Sequence, residues 1–441
     1  MTLSRRRRLF YLLLTAFFII GGVVLLYVNG WRVDFKTLKL KKVGAIFVRS
    51  IPENSQITLD GREVQNKSGF LQNGTLINNL FPKSYNLKLS LPGYEDWHEN
   101  VSVSPALVKE IKYAVLVPKT YQVVATGTIK DFQIFGNNLL TENGKGDLLI
   151  ANRKIGNGGL IGWTNDFNYL LSENSSGVYY WNEIASGSAK NLNALLKKIG
   201  FSTAKKFTIS VDPYDNRRLI VSQNNKFYLL DAERSLLINV YIAESGKTLG
   251  DKITASQYYL AATELSPRTN TSTIIIYDKF LQKIRSTPPE LSGKNISLEW
   301  SGNNKLAILQ SDGELYLYDV SSGNVPQKIA DDVKNFAFTD DGSAIAALEN
   351  SSLEVISLDP NGNYYRFNLP DVKNAIRAFW YGDSQHLFIA YPGRTMFLDL
   401  GDDSLVNFIQ VADSNSSQYE AEGNTLYFLR NDAIYSLKFS K

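Results

Sequence analysis

Residues 333–358 read VKNFAFTDDGSAIAALENSSLEVISL and contain the pattern that decides the fold. A first apolar stretch ends in the aromatic residue Phe338, a polar turn follows, and Ile345 lies seven positions later in a second apolar stretch. A second turn leads to a third such stretch at residues 353–358. Short apolar stretches separated by Asp, Gly, Ser and Asn are typical of β-strands joined by tight turns.

The same frame occurs elsewhere in the chain, which indicates a repeat. An aromatic residue is followed by an apolar one seven positions later in the pairs Trp163 and Leu170, Trp300 and Ala307, and Trp380 and Leu387. Later strands of the frame are predicted at residues 226–231 and 314–319 as well as 353–358. Eight units are predicted, beginning near Phe132, Leu160, Thr208, Ile253, Ile296, Val333, Ile376 and Gln418.

Most units begin about 37 to 48 residues apart, which is the period of a four-stranded propeller blade. Residues 119–441 are therefore predicted to form a β-propeller of seven or eight blades, since the first unit is short. The last unit holds three clear strands, and Tyr121 to Thr126 is predicted to supply its fourth. That pairing would close the ring and leave no open edge.

The frame resembles the TolB-like propeller repeat, a relative of WD-repeat blades. That pattern runs Trp-Ser-Pro-Asp-Gly, then two residues, then an Ile-Ala-Phe-like strand, and residues 338–342 (FTDDG) with 344–346 (AIA) come closest to it. Pro is absent from the four turns, and only one keeps Asp-Gly. The resemblance implies the propeller fold and no particular partner.

One stretch interrupts the β pattern between the second and third units. Leu192, Leu195, Leu196 and Ile199 have helical spacing, and Gly200 is placed to end a helix. A short helix is predicted at residues 191–200. Its apolar side is expected to pack on the propeller, and the alternative is a docking helix for a partner.

Residues 9–28 read LFYLLLTAFFIIGGVVLLYV, twenty residues without a charge. At about 1.5 Å per residue they are long enough to cross a hydrocarbon core of about 30 Å. A transmembrane helix from Leu9 to Val28 is predicted, in preference to a buried core helix or a cleaved signal peptide, because no polar stripe and no small-residue cleavage site are present. The N-terminus is predicted to be cytoplasmic, because Arg5 to Arg8 abut the helix and long C-terminal domains are translocated largely regardless of charge.

Residues 31–42 (WRVDFKTLKLKK) alternate apolar and basic side chains and are expected to lie against lipid headgroups, with Tyr27 and Trp31 as interfacial aromatics. The net positive charge of the chain, +4, arises from residues 1–42. Residues 1–42 contain nine basic residues and one acidic residue, whereas the remaining 399 contain 38 basic and 42 acidic residues, a net charge of −4. The body therefore lacks the basic surface of a nucleic-acid-binding protein.

Residues 44–118 are predicted to form a small β domain. Residues 57–59 lead into Asp60-Gly61, a hairpin signal, and residues 85–91 alternate strictly, as a half-buried strand does. The chain contains no cysteine, which excludes a disulfide framework, thiolate metal ligands and a cysteine nucleophile.

This domain resembles the PEGA domain, a small β module of prokaryotic surface proteins. Three segments carry the resemblance, namely residues 47–61 (FVRSIPENSQITLDG), 80–85 (LFPKSY) and 91–97 (LPGYEDW). The sequence departs from the family at the naming tetrapeptide, here Pro52-Glu53-Asn54-Ser55, and about a dozen residues between Gln65 and Thr75 resemble an insertion. The resemblance implies an extracytoplasmic, β-sandwich-like module.

No residue pattern predicts catalysis, and no catalytic, cofactor-binding or metal-binding residue is proposed from the sequence. His98 and His386 are the two histidines, both in predicted strands of different domains. The pairs Asp331-Asp332, Asp340-Asp341 and Asp402-Asp403 are expected to cap turns. Residues 359–363 (DPNGN) resemble the start of a calcium loop, but the sequence lacks Gly at position six and Glu at position twelve of such a loop. The tryptophans Trp163, Trp300 and Trp380 are expected to pack between blades, in preference to stacking on sugars.

The predicted order is a basic cytoplasmic tail at residues 1–8, a signal-anchor helix at 9–28, a juxtamembrane segment at 29–43, a PEGA-like domain at 44–118 and a propeller at 119–441. We expect a non-enzymatic, membrane-anchored, extracytoplasmic protein whose propeller binds a cell-envelope polymer or a partner protein, and which uses no cofactor. The alternatives are a propeller enzyme acting on envelope glycan and a sensor signalling through the single helix. The discriminating feature for the enzyme is a pair of carboxylates about 5 to 9.5 Å apart in a pocket.

Overall fold

The structure, a computed structural model, describes residues 3–35, 37–68, 73–136, 138–243, 245–280, 282–286, 291–292, 297–302, 304–321, 325–358, 364–367, 369, 372–400, 405–414 and 416–440. The protein is nearly all β, with two α-helices among the described residues. Contacts divide it into two units. Unit 1 comprises residues 1–120, 406–409 and 439–441, and unit 2 comprises residues 121–405 and 410–438.

Unit 1 begins with helix α1, Leu3–Val28, which is followed by a two-stranded hairpin of β1 (Trp31–Asp34) and β2 (Lys39–Lys42). Residues 5–28 are long and apolar enough to cross a membrane. The helix ends at Val28, as predicted, but it starts before residue 9. The arginines Arg5 to Arg8 are helical, because Arg has a high helix propensity and nothing in the sequence stops the helix before them.

Seven strands form the β part of unit 1. They are β3 (Gly44–Ile51), β4 (Gln56–Leu59), β5 (Arg62–Val64), β6 (Thr75–Leu80), β7 (Ser84–Ser90), β8 (Trp97–Ser102) and β9 (Val108–Val115). One sheet has the order β6-β3-β9, with β3 and β9 parallel, and the other has the antiparallel order β5-β4-β7-β8. Both sheets contribute to one apolar core that includes Ile46, Ile57, Leu87 and Trp97.

Two local predictions for unit 1 are confirmed. The turn between β4 and β5 places Asp60 and Gly61 at φ 49° and 77°, the left-handed region that Gly and short polar residues tolerate. In β7 the side chains of Tyr85, Leu87 and Leu89 are buried in alternation with more exposed neighbours.

The segment between β5 and β6, where the sequence resembles an insertion, is held by Asn66. Its side-chain amide donates to the carbonyls of Glu53 and Ser55 at 2.8 and 2.7 Å. Thr75 Oγ1 donates in turn to the Asn66 carbonyl oxygen at 2.8 Å. Asn66, in the described start of this segment, is therefore fastened to the turn that departs from the PEGA pattern.

The described residues between 121 and 438 form eight antiparallel sheets, numbered here by their place in the chain. The first four comprise β11 (Ile129–Phe135), β12 (Asn138–Asn143), β13 (Asp147–Ile150) and β14 (Arg153–Asn157); β15 (Gly159–Trp163), β16 (Tyr169–Glu173), β17 (Tyr179–Glu183) and β18 (Ala189–Asn191); β19 (Thr208–Val211), β20 (Arg218–Gln223), β21 (Lys226–Asp231) and β22 (Leu236–Ile242); and β23 (Thr248–Ala255), β24 (Leu260–Ser266), β25 (Thr271–Tyr277), β26 (Lys283–Ser286) and β27 (Leu291–Ser292).

The fifth to seventh sheets comprise β28 (Ser297–Trp300), β29 (Lys305–Leu309), β30 (Leu315–Asp319) and β31 (Gln327–Ala330); β32 (Val333–Phe338), β33 (Ala344–Glu349), β34 (Leu353–Ser357) and β35 (Tyr364–Phe367); and β36 (Arg377–Trp380), β37 (His386–Tyr391), β38 (Arg394–Leu400) and β39 (Leu405–Ala412). The eighth sheet is formed by β40 (Ser417–Glu420), β41 (Thr425–Arg430), β42 (Ala433–Lys438) and β10 (Gln122–Thr126). A single 3-10 turn, Val372–Asn374, precedes β36 within the described residues.

The predicted pairing of residues 121–126 with the last unit is confirmed, because β10 pairs antiparallel with β42 in the order β10-β42-β41-β40. Each of the eight predicted repeat units corresponds to one sheet. The aromatic residues of the frame, Trp163, Trp300, Phe338 and Trp380, each end the first strand of their sheet. Apolar clusters join the first six sheets in series, and Phe132 and Ile434 join the first sheet to the eighth.

The predicted helix α2 spans Leu192–Lys198. The Asn191 side chain accepts from the Ala194 amide at 2.9 Å and caps the helix, and Gly200 follows it at φ 84°. Leu192 and Leu196 are completely buried in the core between the second and third sheets. The helix therefore packs its apolar side on the sheets, as predicted in preference to a docking helix for a partner.

Candidate binding cleft between the inner strands

The strands β11, β15, β19, β23, β28, β32, β36 and β40 are called the inner strands here, since each ends its sheet on the side where neighbouring sheets meet. Contacts join β15 to β19, β23 to β28, β32 to β36 and β11 to β40. The rings of Phe135 and Trp163 join β11 to β15. The strands at the opposite ends of the sheets, such as β22, are called the outer strands.

Side chains fasten several inner strands to the next sheet. Asn335 on β32 accepts from the Ala378 amide of β36 at 2.9 Å, and Arg377 donates to the Ser417 carbonyl at 2.5 Å. Gln418 on β40 accepts from the Ile134 amide at 3.1 Å and donates to the Phe132 carbonyl at 2.9 Å. The inner ends of the sixth, seventh, eighth and first sheets are thus linked in series.

The positive charges in this part of the ring serve structural contacts. Lys334 donates to the carbonyls of Val372 and Lys373 at 3.2 and 3.4 Å, and burial lowers its pKa. Arg377 lies over the Phe379 ring at 4.8 Å, and burial also lowers the pKa of its guanidinium. The side chains of Lys334 and Arg377 thus both donate hydrogen bonds to backbone carbonyls of the protein.

A cleft of about 530 Å³ opens between the first and second sheets. Polar side chains on β11 and β12 form one part of its lining, and apolar residues with two glycines on β15 form the other. The lining includes Asp131, Gln133, Glu142, Leu160, Ile161 and Trp163. A concave apolar wall facing a few polar groups is the usual composition of a ligand site.

Ile161 reaches the cleft through an irregularity in β15. The register shifts between Leu160, which pairs with Ser172, and Gly162, which pairs with Leu171, so Ile161 is the extra residue of a β-bulge. Its side chain is 40% exposed. Similar bulges occur at Lys130 in β11 and Lys334 in β32, so the bulge belongs to the repeat and not to the cleft alone.

Asp131 and Glu142 are directly opposite each other in the register of β11 and β12, so both side chains lie on one face of the sheet. Glu142 accepts a 2.8 Å hydrogen bond from Lys130, and this bond raises the pKa of that lysine. Asp131 accepts from the Phe132 amide at 2.8 Å. The cleft therefore presents carboxylate and amide groups suited to hydroxyl or ammonium groups of a ligand.

Glu299, on the inner strand β28, has an unusual environment. Its side chain is exposed, yet the surrounding protein displaces enough water to raise its pKa to about 6. It is protonated in a larger fraction of molecules at mildly acidic pH than an ordinary glutamate.

The tryptophans of the repeat frame pack against the preceding sheet, as predicted. Trp163 meets Phe135 edge to face, and Trp300 stacks on Tyr259 at 6.1 Å. The Trp380 indole donates to the Ala337 carbonyl at 2.9 Å.

The two histidines lie in strands, as predicted, and in different surroundings. His98, on β8, is exposed. His386, at the start of β37, is 1% exposed, and its ring lies between the carboxylates of Asp383, 2.8 Å from Nδ1, and Asp399, which contacts Nε2. Burial alone would lower the pKa of His386, but the two carboxylates raise it to about 10, so the ring is a buried cation.

The acidic pairs at residues 331–332 and 340–341 lie in connections between strands, as predicted. The Asp341 carboxylate accepts from the amide and hydroxyl of Ser343 at 2.9 and 2.7 Å, and these bonds lower its pKa. The pair Asp402-Asp403 and the calcium-loop resemblance at residues 359–363 fall outside the described residues. In the described ranges, no group of three or more His, Asp or Glu side chains is arranged to hold a metal ion.

Sequence reasoning missed the cleft and the partners of His386. The cleft combines residues from two sheets, and its sequence signal is weak, consisting of Gly159 and Gly162 in an otherwise apolar strand. Asp383, three residues before His386, was a usable signal for the buried ion pair. Asp399 could not be recognised as a partner from the sequence, because it is the register of β37 and β38 that places it opposite His386.

The seven strands at Gly44–Ile51 through Val108–Val115 form two sheets around one small core, and a family comparison names this arrangement. Residues 43–115 match the PEGA domain family. The resemblance found in the sequence is thereby confirmed for this part of the chain. The PEGA domain covers the two-sheet core of unit 1 and leaves α1 and the hairpin outside it.

Solved structures similar to the chain include one titled "Crystal structure of the eukaryotic initiation factor", with 10% identity, a TM-score of 0.50, and coverage of 74% of this chain and 94% of that one. Another is titled as the Myceliophteria_thermophila Cps50 (Swd1) beta-propeller domain, with 13% identity, a TM-score of 0.41, and coverage of 62% and 96%. At such identities the similarity concerns the fold alone. No curated protein matches the chain.

Proposed function

We propose that this chain is a membrane-anchored, extracytoplasmic binding or scaffold protein, in which residues 9–28 span the membrane. Its eight sheets are the blades of a β-propeller that binds a cell-envelope polymer or a partner protein. The observation that carries the proposal is the cleft at the inner strands, which offers an apolar wall and polar groups on one rigid scaffold. The match to the PEGA domain supports an extracytoplasmic location, because resemblance to this family implies an extracytoplasmic module.

The cleft favours a ligand that is polar and uncharged or positively charged. Asp131, Gln133 and Glu142 supply acceptors, and Leu160 and Ile161 supply an apolar wall. A sugar polymer presents hydroxyl groups and apolar ring faces together, and a peptide with a lysine side chain presents an ammonium group beside an alkyl stem. Both classes fit this chemistry.

A propeller enzyme acting on envelope glycan is the second candidate, favoured by one observation. Asp131 and Glu142 face the same cleft from opposite positions on adjacent strands, as two carboxylates of a glycosidase would. The 2.8 Å hydrogen bond from Lys130 to Glu142 counts against it, because this carboxylate already has a protein partner.

The test uses the full chain in detergent with isolated cell envelopes. Co-sedimentation and the release of soluble sugars or peptides are measured together. Saturable binding without products is the expected result. Product release that is lost in Asp131→Asn would establish the enzyme instead, and the absence of both binding and products would contradict both functions.

A matched pair of variants locates the binding site. Ile161→Tyr fills the cleft and is expected to weaken envelope binding roughly tenfold, or about 1.4 kcal/mol. Ile238→Tyr makes the same change on the outer strand β22, where Ile238 is 49% exposed, and should leave binding unchanged. Equal binding by both variants would show that the cleft is not the site.

A further inference from the structure

The hairpin that follows α1 has one mainly apolar face and one charged face. Its register pairs Val33 with Leu40 and Arg32 with Lys41, and side chains alternate between the faces along each strand. Trp31, Val33, Leu40 and Lys42 therefore share one face, which is apolar except for Lys42 at its end nearest α1. Arg32, Asp34, Lys39 and Lys41 share the other.

The apolar side of this hairpin is uncovered by the protein. Phe35 and Leu38, in the turn, are 85% and 81% exposed, and Leu40 is 53% exposed. Leu38 also adopts φ 51°, a left-handed conformation that an aliphatic residue rarely takes and that Gly or Asn would take at lower cost. Two large apolar side chains at a tight, exposed turn are unfavourable in water.

The hairpin is fastened to the end of α1. Only Asn29 and Gly30 separate the two elements, and the Val43 amide donates to the Gly30 carbonyl at 2.9 Å. The Arg32 guanidinium lies 3.6 Å from the centre of the Tyr27 ring and donates to the Tyr27 carbonyl at 2.6 Å. The hairpin is thus held at the C-terminal end of the apolar helix.

We propose that this hairpin is a second membrane contact, which inserts Phe35, Leu38 and Leu40 into the headgroup and upper acyl region of an anionic bilayer. The inference rests on the proposed membrane span of α1, whose end brings the hairpin to the level of the headgroups. Residues 29–43 carry five basic residues and one acidic residue, a net charge of +4, which complements anionic lipid. With two membrane contacts, the residues that follow the hairpin are held close to the membrane surface. With the helix as the only contact, they could rotate about the helix axis.

The absence of cysteine from the sequence makes a direct test possible, because one introduced cysteine is the only labelling site. Thr37→Cys, at the exposed turn, receives an environment-sensitive fluorophore, and the full chain is reconstituted in vesicles with or without anionic lipid. We expect a blue-shifted emission that lipid-attached quenchers reduce and aqueous iodide does not. The effect should be stronger with anionic lipid.

Three matched chains interpret the result. Phe35→Ser with Leu38→Ser, added to Thr37→Cys, should restore iodide quenching several-fold. Arg234→Cys, whose side chain is 75% exposed in unit 2, should be quenched by iodide in every vesicle. Phe18→Cys, within α1, reports on the span itself and should respond to lipid quenchers at the bilayer centre.

The outcomes separate the two proposals. Lipid quenching at position 18 together with iodide quenching at position 37 would overturn the hairpin contact and leave the span intact. Iodide quenching at both positions would overturn the span as well. Protection at position 37 from both quenchers would show that protein, such as a second copy of the chain, covers the hairpin, and would also overturn the proposal.

Discussion

His386 carries a positive charge in the interior of the seventh sheet, with Asp383 and Asp399 on either side of its ring. Such a group stabilises the fold only while it is charged. Its pKa in the folded protein, about 10, lies above the ordinary histidine value of 6.5. The stabilisation is therefore complete below about pH 6.5 and is lost as the pH rises through 10.

His386→Asn should lower the free energy of unfolding of unit 2 by on the order of 3 kcal/mol near pH 6, because it leaves two carboxylates without their cation. The difference from the original protein should shrink as the pH approaches 10. Urea titrations at pH 6, 8 and 10 measure it. His98→Asn, which changes an exposed histidine in unit 1, is the control and should leave the pH dependence as it was. An identical pH dependence in His386→Asn would contradict the assignment of the charge.

Contacts between neighbours in sequence could be predicted, whereas pairs of residues on different strands could not. The strand containing His386 was predictable from its apolar pattern, as was the capping role of Asp341, because both depend on neighbours in sequence. The pairing of Asp131 with Glu142 and of His386 with Asp399 depends on strand register, and register within a repeat is decided by packing.

At the scale of elements, the strand β10 completes the eighth sheet although it lies before the first. Deleting residues 119–127 should leave one edge of β42 unpaired, and unit 2 should aggregate or lose its cooperative unfolding transition. Size-exclusion chromatography and thermal unfolding of the full chain in detergent, with and without the deletion, measure this.

Permutation provides the control. A chain in which residues 119–127 are moved behind Lys441 through a Gly-Ser linker regains the pairing without the original connection. It should recover the monomeric elution and the cooperative transition. A soluble, cooperatively unfolding deletion variant would show that the ring closes in another way.

The eight inner strands and the closing strand were predictable because they follow the period of the sequence, and α2 was predictable from its 3.6-residue pattern. The predicted membrane span of residues 9–28 lies within α1, and the helix continues before it through Arg5 to Arg8 because the sequence criterion measured only the uncharged stretch. The hairpin after α1 was not predicted as strands, because its four-residue arms alternate apolar with basic residues as a surface segment does.

At the scale of the whole molecule, the orientation of the chain is the property to test. Four arginines precede the apolar span and five basic residues follow it, so the positive-inside count is nearly balanced. We expect alkaline phosphatase fused after Lys441 to be active and a reporter that works only in the cytoplasm to be silent there. Changing Arg5 to Arg8 to serine should move part of the population to the opposite orientation. The reverse reporter pattern in the unchanged chain would contradict an extracytoplasmic location.

Because β10 pairs with β42, the eighth sheet can be completed only late in the synthesis of the chain. The two strands are more than 300 residues apart in the chain, so at about 5 to 20 residues per second a ribosome delivers the second strand roughly 15 to 60 s after the first. During that interval β10 has no β42 with which to pair. We expect the unfinished chain to expose an unpaired strand edge during this interval, and a chain that stops just before β42 could not complete the eighth sheet.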